Sequence, residues 1–181
     1  MKIANSARLS YRLMNEHDAD KLFQLDQDPA VMHFINGGTP SSMNDINTIL
    51  LPRMNAYRDE DKGWGIWQVN NTATTEYLGW ILVRPMHFFS EKPEFDNIEL
   101  GWRFFQSTWG KGYASEAAEH IKQHFSHDKR IQSFCAIADE ANIASVKVMK
   151  KIGMEYVKTY HHIDPLFETY VVYYQIKNNN V

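Results

Sequence analysis

Two closely spaced glycines between a strand pattern and a helix pattern constrain the fold of this chain more than any other feature. The strand predicted over residues 97–104 leads by a short connection into Trp109-Gly110-Lys111-Gly112-Tyr113-Ala114. Small or apolar residues then recur at helical spacing, at Ala114, Ala117, Ala118, Ile121 and Phe125. Because residues 130–138 are apolar on both alternate faces for most of their length, we expect a central strand there. It should pair in parallel with 97–104 through a right-handed crossover.

The start of the helix after this turn is a potential anion site. The first backbone N–H groups of a helix have no partner within it, and its dipole is positive there. Two glycines let a phosphate approach the backbone, and Lys111 adds a positive charge. The P-loop pattern is absent because Gly112 follows Lys111, and the dinucleotide-binding pattern is absent because position 115 is serine. The alternative interpretation is a purely structural turn from strand to helix.

Composition excludes several classes of protein. With 19 Lys and Arg against 22 Asp and Glu, the net charge of −3 argues against a broad basic face for nucleic acid. The single cysteine, Cys135, rules out an intrachain disulfide framework, and its apolar neighbours in sequence predict a core residue. The apolar stretch 78–83 is far shorter than the roughly 20 residues of a membrane span, and residues 1–6 lack an apolar signal segment. We therefore expect a soluble, cytoplasmic protein that binds neither nucleic acid nor membrane.

The first half of the chain alternates strand and helix patterns. Residues 8–14 predict a strand, followed by a helix that Asn15 caps. Pro29 predicts a turn. A second helix is expected to begin at Ser42 or Asn44. It should be interrupted or kinked near Pro52. Two strands are then expected at 64–69 and 77–83, with a hairpin loop at 70–75 between them. A long surface loop is expected at 86–96.

The C-terminal part ends in one helix and two strands. The helix begins at Asn142 and ends at Gly153. The two strands are expected at 156–161 and 169–176. The turn between them is expected around Asp164-Pro165. No linker or internal repeat is visible, so we predict one domain over residues 1–177 with a frayed tail at 178–181.

Four segments of the chain form a set: Ile98-Glu99-Leu100-Gly101-Trp102, the glycine turn continued by Ser115-Glu116-Ala117, Asn142-Ile143-Ala144-Ser145 and Lys151-Ile152-Gly153-Met154. This set resembles the GNAT superfamily of N-acetyltransferases. With Arg8-Leu9, Arg12 and Asp18-Ala19 it resembles most the RimJ/RimL-type branch, whose founding members acetylate the N-terminal amine of ribosomal proteins. The resemblance implies a single mixed α/β domain, in which helices surround a mixed central sheet whose parallel strands splay apart.

The resemblance also implies acetyl-CoA as the co-substrate and no metal. The cofactor's pyrophosphate is expected on the backbone amides of Trp109, Gly110, Lys111, Gly112, Tyr113 and Ala114. Its pantetheine arm is expected along the backbone of Trp102, Arg103 and Phe104 and against Asn142. In relatives Ser145 matches a serine beside the leaving sulfur.

The chain departs from the family pattern at two positions. Trp109 stands where the superfamily usually has Arg or Gln, although Trp is familiar in the RimJ/RimL-type branch. Met149 stands where many members carry a catalytic tyrosine, so the role of proton donor passes to Ser145. The alternative for Ser145 is a structural residue in the first turn of a helix capped by Asn142.

Acetyl transfer to an amine also needs a base and donors for the carbonyl oxygen, which are expected from the backbone N–H groups of 102–104. Glu99 is the candidate base, because a carboxylate sheltered by Trp80, Trp102 or Phe104 has a raised pKa. The alternative is a glutamate that faces solvent or pairs with a neighbour of Arg103. Second choices for the base are His161, His162 and Asp164. His120 and His124 have the spacing of a metal pair but are interpreted as part of a solvated face.

The sequence thus predicts an N-acetyltransferase that moves acetyl from acetyl-CoA to a primary amine by direct attack in a ternary complex. The expected acceptor is the N-terminal amine of a protein or peptide. Two alternatives stay open: an acetyltransferase for a small amine such as a polyamine or antibiotic, and a non-catalytic acyl-CoA-binding module. We expect a monomer or a homodimer.

Overall fold

The computed structural model describes residues 1–164 and 167–180. The strands are β1 (Leu9–Leu13), β2 (Gly65–Asn71), β3 (Tyr77–Met86), β4 (Glu94–Phe104), β5 (Ser133–Asp139), β6 (Glu155–Asp164) and β7 (Phe167–Lys177). The helices are α1 (Ala19–Asp26), α2 (Pro29–Asn36), α3 (Met43–Asp45), α4 (Leu51–Tyr57), α5 (Tyr113–Phe125) and α6 (Ile143–Lys151). The predicted turn at Asp164-Pro165 lies partly outside the described residues.

The seven strands form one mixed sheet in the order β1-β2-β3-β4-β5-β7-β6. All neighbours are antiparallel except β4 and β5, which are parallel as predicted. The parallel pairing covers only Asn97–Glu99 opposite Ser133–Cys135. Beyond these residues β4 continues to Phe104 and β5 to Asp139 without pairing with each other, so the two strands splay apart.

The sheet buries an apolar layer on each face. On one face α5 and α6 pack on the sheet through a cluster that includes Leu100, Ala118 and Phe134. On the other face α1 and α4 pack through a second cluster that includes Leu22 and Met54. Cys135 belongs to a small third cluster with Met86 and Tyr173 and has no exposed surface, which confirms it as a core residue.

Local capping explains where the early helices begin. Asn15 Oδ1 accepts from the backbone N–H of His17 (3.0 Å) and its own N–H donates to Asp18 (2.9 Å), which confirms the predicted cap. The expectation of a turn at Pro29 is wrong. Asp28 Oδ1 accepts from the N–H of Ala30 (3.0 Å), and Pro29 occupies the first position of α2, where its missing N–H costs no helical bond.

The second helical region begins at its predicted cap, Ser42. Its irregular turn lies before Pro52 in the sequence. A π-helical turn, Ile46–Leu50, separates α3 from α4, and Pro52 lies in the first turn of α4. The expected long loop at 86–96 is shorter than predicted, because Met86 and Glu94 pair and extend the β3–β4 hairpin.

The residue that follows β7, Asn178, is held more firmly than the polar sequence suggests. Fraying was expected from Asn178 onward, but Asn178 is only 8% exposed. Its side-chain amide donates to the backbone carbonyls of Ser126 (3.0 Å) and Ile131 (2.8 Å). These bonds fasten the end of β7 to the segment that precedes β5. Among the described residues, no helix has both the length and the apolar composition needed to cross a bilayer.

Candidate active site

A cavity of about 300 Å³ opens where β4 and β5 diverge. Its walls come from the end of β4, the glycine turn with the start of α5, the first turns of α6, and α2. Most of the predicted site residues line it: Trp102, Arg103, Phe104, Trp109, Gly110, Gly112, Tyr113, Ala114, Asn142 and Ser145. Lys111 and Glu99 do not line it. Tertiary structure therefore brings the strand, turn and helix segments of the sequence motif to one place.

The glycine turn presents free backbone donors to this cavity. Gly110 and Gly112 have φ values of +76° and +80°, which favour glycine, and a side chain at Gly110 would meet open space. No side chain caps α5, and its first internal hydrogen bond runs from the N–H of Glu116 to the carbonyl of Gly112 (3.0 Å). The N–H groups before Glu116 are thus available to an anion.

Trp109 fixes the position of the turn relative to β4. Its indole Nε1 donates to the carbonyl of Phe104 (2.8 Å) while the residue stays 46% exposed. Lys111 is exposed, and its carbonyl accepts from Arg8 Nη1 at 3.1 Å. The predicted cation therefore lies on the outer side of the turn.

Asn142 and Ser145 meet Trp102 across the splay. Asn142 Oδ1 accepts from the backbone N–H of Ser145 (3.1 Å), which confirms Asn142 as the cap of α6. Ser145 Oγ accepts from Trp102 Nε1 at 3.3 Å. Because an indole N–H can only donate, the hydroxyl proton of Ser145 is left free to be given to another acceptor.

Glu99 lies on the opposite face of the sheet from Trp102 and Phe104, since alternate side chains of a strand point to opposite faces. The expected shelter by those two aromatic residues is therefore wrong. Glu99 is 5% exposed, and its Oε2 accepts from Arg84 Nε at 2.7 Å. The two alternatives for Glu99, a solvent-facing side chain and a partner next to Arg103 in sequence, are also wrong. Glu99 is buried, and its partner is its cross-strand neighbour Arg84.

The ion pair of Glu99 and Arg84 is buried against aromatic rings. The Arg84 guanidinium lies over the rings of Tyr57 (5.4 Å) and Phe89 (5.7 Å). Burial by itself lowers the pKa of Arg84, but the charge and hydrogen bond of Glu99 outweigh it, so the pKa is raised. Burial also raises the pKa of Tyr57 to about 12, so its hydroxyl is protonated at neutral pH.

The second-choice bases separate onto two faces of β6. Asp164 points toward the helices over Glu99 and accepts from Arg53 Nη2 at 2.7 Å. His162 is half-buried on the same side, and its pKa is lowered mainly by burial, with Asp164 and Glu99 opposing that shift. His161 is exposed on the other side, where it lies 3.3 Å from Glu168.

The histidine pair on α5 contacts protein groups. His120 Nε2 lies 2.8 Å from the carbonyl of Ala4, and its ring stacks on Tyr11 at 5.2 Å. Burial lowers the pKa of His124, and the nearby imidazole groups of His120 and His127 act in the same direction. Within residues 1–164 and 167–180, no three His, Cys, Asp or Glu side chains are grouped so as to hold a metal ion.

Sequence reasoning missed two walls of the cavity. One is α2, which contributes Ala30, Val31, Phe34 and Ile35. The helical spacing of the apolar residues in α2 and the Asp28-Pro29 pair at its start both indicate a helix, but Pro29 was interpreted as a turn. The other is a stripe along α6 at helical spacing, made of Ala144, Lys147, Val148 and Lys151.

A second cavity, of about 260 Å³, shares Phe34 and Ile35 with the first. It lies between the end of α2 and the splayed end of β5. Asp139 and Glu168 add carboxylates to its wall, together with His33, Asn36, Gly37 and Thr169. The two cavities therefore meet at α2, next to the unpaired end of β4.

Two features define a class of protein. One is a pair of parallel strands that splay apart, and the other is an adjacent helix that follows a glycine turn and has no side-chain cap. The chain belongs to the GNAT acetyltransferases, because the family model described as the acetyltransferase (GNAT) domain matches residues 8–155. It is an acetyltransferase domain of mixed α/β fold, and acetyl-CoA as co-substrate fits both the family and the open donors at the start of α5.

Two relatives align with most of this chain. The chain is 30% identical to the uncharacterized protein YkkB of Bacillus subtilis (strain 168) over 84% of each chain. It is 26% identical to the FsC-acetyl coenzyme A-N(2)-transacetylase of Aspergillus fumigatus, over 86% of this chain and 66% of that protein.

Solved structures share the fold at low sequence identity. A GNAT-family acetyltransferase from Bacillus anthracis has a TM-score of 0.75 at 23% identity, covering 98% of this chain and 99% of its own. The aminoglycoside acetyltransferase AAC(6')-Ib in complex with coenzyme A has a TM-score of 0.75 at 16% identity, over 95% and 96%. The ribosomal L7/L12 alpha-N-protein acetyltransferase RimL, also in complex with coenzyme A, has a TM-score of 0.74 at 15% identity over 98% of both chains.

Proposed function

We propose that this protein acetylates the N-terminal amine of a protein or peptide, with acetyl-CoA as the donor. The observation that carries the proposal is the cavity that joins the unpaired end of β4 to the free N–H groups of α5. A second cavity with two carboxylates adjoins it and supplies a place for a cationic amine.

The residues that would hold acetyl-CoA follow from this geometry. The backbone N–H groups from Trp109 to Ala114 would bind the pyrophosphate. The free edge of β4 from Trp102 to Phe104 would pair with the amide groups of the pantetheine arm, with Asn142 on its other side. Lys147 and Lys151 add positive charge to the cavity wall and would attract the remaining phosphate.

When bound, acetyl-CoA supplies an activated acyl group with a thiolate leaving group. The backbone N–H groups of Trp102 to Phe104 would stabilise negative charge on the acyl oxygen. Glu99, which lines neither cavity and accepts from Arg84 Nε, would take the proton of the amine through water. Ser145 would give its hydroxyl proton to the leaving sulfur and take a proton back from solvent water; the proton is directed away from Trp102, because the indole N–H already donates to Oγ. The amine attacks directly, and no covalent intermediate on the protein is needed.

A small amine is the second candidate acceptor. The acidic second cavity can receive any primary ammonium group, and a relative is named for acetyl transfer to the N(2) position of FsC. The similarity to RimL and to AAC(6')-Ib supports both acceptor classes at the level of fold alone.

The test is release of free thiol from acetyl-CoA with a panel of amines. The panel contains peptides with free Ser or Ala N-termini, the same peptides N-acetylated as matched controls, polyamines and aminoglycosides. We expect the highest kcat/KM with the free peptides and none with the blocked ones. A higher kcat/KM with a polyamine or aminoglycoside would move the assignment to small amines. A thermal shift with acetyl-CoA but no turnover on any amine would favour a binding module.

A further inference from the structure

Arg8 lies beside the glycine turn although it is far from it in sequence. Its Nε donates to Glu116 Oε2 at 2.7 Å, and its backbone N–H donates to Glu116 Oε1 at 2.8 Å. Its Nη1 donates to the carbonyl of Lys111 at 3.1 Å, and its guanidinium lies over the Tyr113 ring at 4.5 Å. A Cβ built on Gly112 would come 3.6 Å from Arg8 Nη2.

Glu116 creates an electrostatic problem at this position. It is the acidic residue in the first turn of α5, the same helix end whose free N–H groups face the cavity. An isolated carboxylate there would offset the positive potential at the start of the helix and repel a bound phosphate. Hydrogen bonds from Ser6 and Arg8 outweigh the effect of burial and lower the pKa of Glu116, so the group is anionic at neutral pH.

We propose that Arg8 is a positioning residue for acetyl-CoA binding: by neutralising Glu116, it leaves the start of α5 able to accept the pyrophosphate. It acts through Glu116 and the turn. The inference rests on the proposed function only in placing the pyrophosphate at this helix end. Ser6 supports the same arrangement, since its Oγ donates to Glu116 at 2.7 Å.

The competing explanation is that the pair only fastens the N-terminal segment to α5. The two explanations differ in a double-mutant cycle. If neutralisation matters, removing Arg8 alone is harmful because it exposes the charge of Glu116, and removing Glu116 as well repairs the defect. If fastening matters, the double variant is at least as defective as R8Q.

The experiment measures the Kd of acetyl-CoA by calorimetry for the full chain and for R8Q, E116Q and R8Q/E116Q, with thermal melting as a check on folding. We expect R8Q to weaken binding about tenfold, with the loss shrinking as ionic strength rises. E116Q and the double variant should both stay within about threefold of the unmodified chain. R130Q is the matched control, since Arg130 forms a similar pair with Asp128 at 2.7 Å outside the cavity.

Two results would overturn the proposal: R8Q that binds as tightly as the unmodified chain, or a double variant that is as weak as R8Q. If R8Q melts too low to be measured, Arg8→Lys replaces it. That variant keeps the charge but loses the planar fork, so neutralisation predicts binding within about threefold, whereas fastening predicts a loss of about tenfold. An unmodified chain that binds no acetyl-CoA would instead refute the proposed function, and the two failures are thereby distinct.

Discussion

Ser145 gains its proposed role from its neighbour more than from its own acidity. An isolated serine hydroxyl is a weak acid, but the indole of Trp102 fills one acceptor site of Oγ and orients the hydroxyl proton elsewhere. Asn142 meanwhile holds the backbone of Ser145 in place. The cap and the proposed proton donor are thus two parts of one arrangement at the start of α6.

Ser145→Ala tests this role. We expect kcat for acetyl transfer to fall on the order of 10²-fold, with the KM for acetyl-CoA within about twofold, because the proton is needed only as the thiolate leaves. Steady-state kinetics with varied acetyl-CoA measures both. Ser115→Ala is the matched control, since Ser115 lines the same cavity. An unchanged kcat would reduce Ser145 to a structural residue.

Glu99 and Arg84 should depend on each other for stability. Glu99→Gln removes the hydrogen-bonded counter-charge of the buried Arg84 guanidinium, at an expected cost of about 3–5 kcal/mol in the free energy of unfolding. Arg84→Met with Glu99→Gln should recover most of this loss in urea unfolding while acetyl transfer stays absent. Recovery of both stability and activity would remove Glu99 from the proposed chemistry.

His162 supplies a dependence of stability on pH. Burial lowers its pKa below the ordinary 6.5, so the unfolded chain binds this proton more readily than the folded one. The stabilising contribution is therefore present above pH 6.5 and is lost as the pH falls through the folded pKa. We expect His162→Gln to flatten the fall in Tm between about pH 7 and 5.5. Substitution of the exposed His17 should leave the slope unchanged.

At the scale of elements, β3 approaches very closely, at Gly79, the end of β4 that does not pair with β5. Gly79 has a φ of +148°, and a Cβ built there would lie 2.2 Å from the carbonyl oxygen of Arg103 and 2.7 Å from Cα of Phe104. Only glycine permits this contact. It holds the free edge of β4 where the pantetheine arm is proposed to pair.

Gly79→Ala should therefore damage both stability and cofactor binding. We expect a loss on the order of 2–3 kcal/mol in unfolding free energy and a weaker Kd for acetyl-CoA, because backbone atoms of Arg103 and Phe104 must move. Gly101→Ala is the control. Its Cβ would meet side-chain atoms of Leu82 at 3.3 Å, which can adjust more easily. Equal effects of the two substitutions would contradict the special role of Gly79.

Across the whole molecule, α2 divides a proposed donor side from a proposed acceptor side. Phe34 and Ile35 belong to both cavities. Lysines of α6 line the first cavity, and the carboxylates of Asp139 and Glu168 line the second. Side chains of opposite charge therefore line the two cavities, even though the net charge of the chain is only −3.

A crossed experiment checks this division. Lys147→Glu should raise the KM for acetyl-CoA several-fold and leave the KM for the amine within about twofold, while Glu168→Gln should do the reverse. The matched controls, Lys150→Glu and Glu155→Gln, lie outside both cavities and should change neither constant. Parallel changes in both constants would show that the cavities do not serve separate substrates.

Short-range signals in the sequence determined the strand, turn and helix around the glycines, the caps at Asn15 and Asn142, and the burial of Cys135. These features depend on residues within a few positions of each other, through backbone conformation and periodic hydrophobicity. The family resemblance rests on the same local segments.

Only the tertiary structure decided which face Glu99 occupies, its pairing with Arg84, the contribution of α2 to the cavity, and the meeting of Arg8 with Glu116. Each depends on strand register or on contacts between distant segments. A one-residue change in register moves every side chain of a strand to the opposite face, so these features cannot be obtained from local pattern alone.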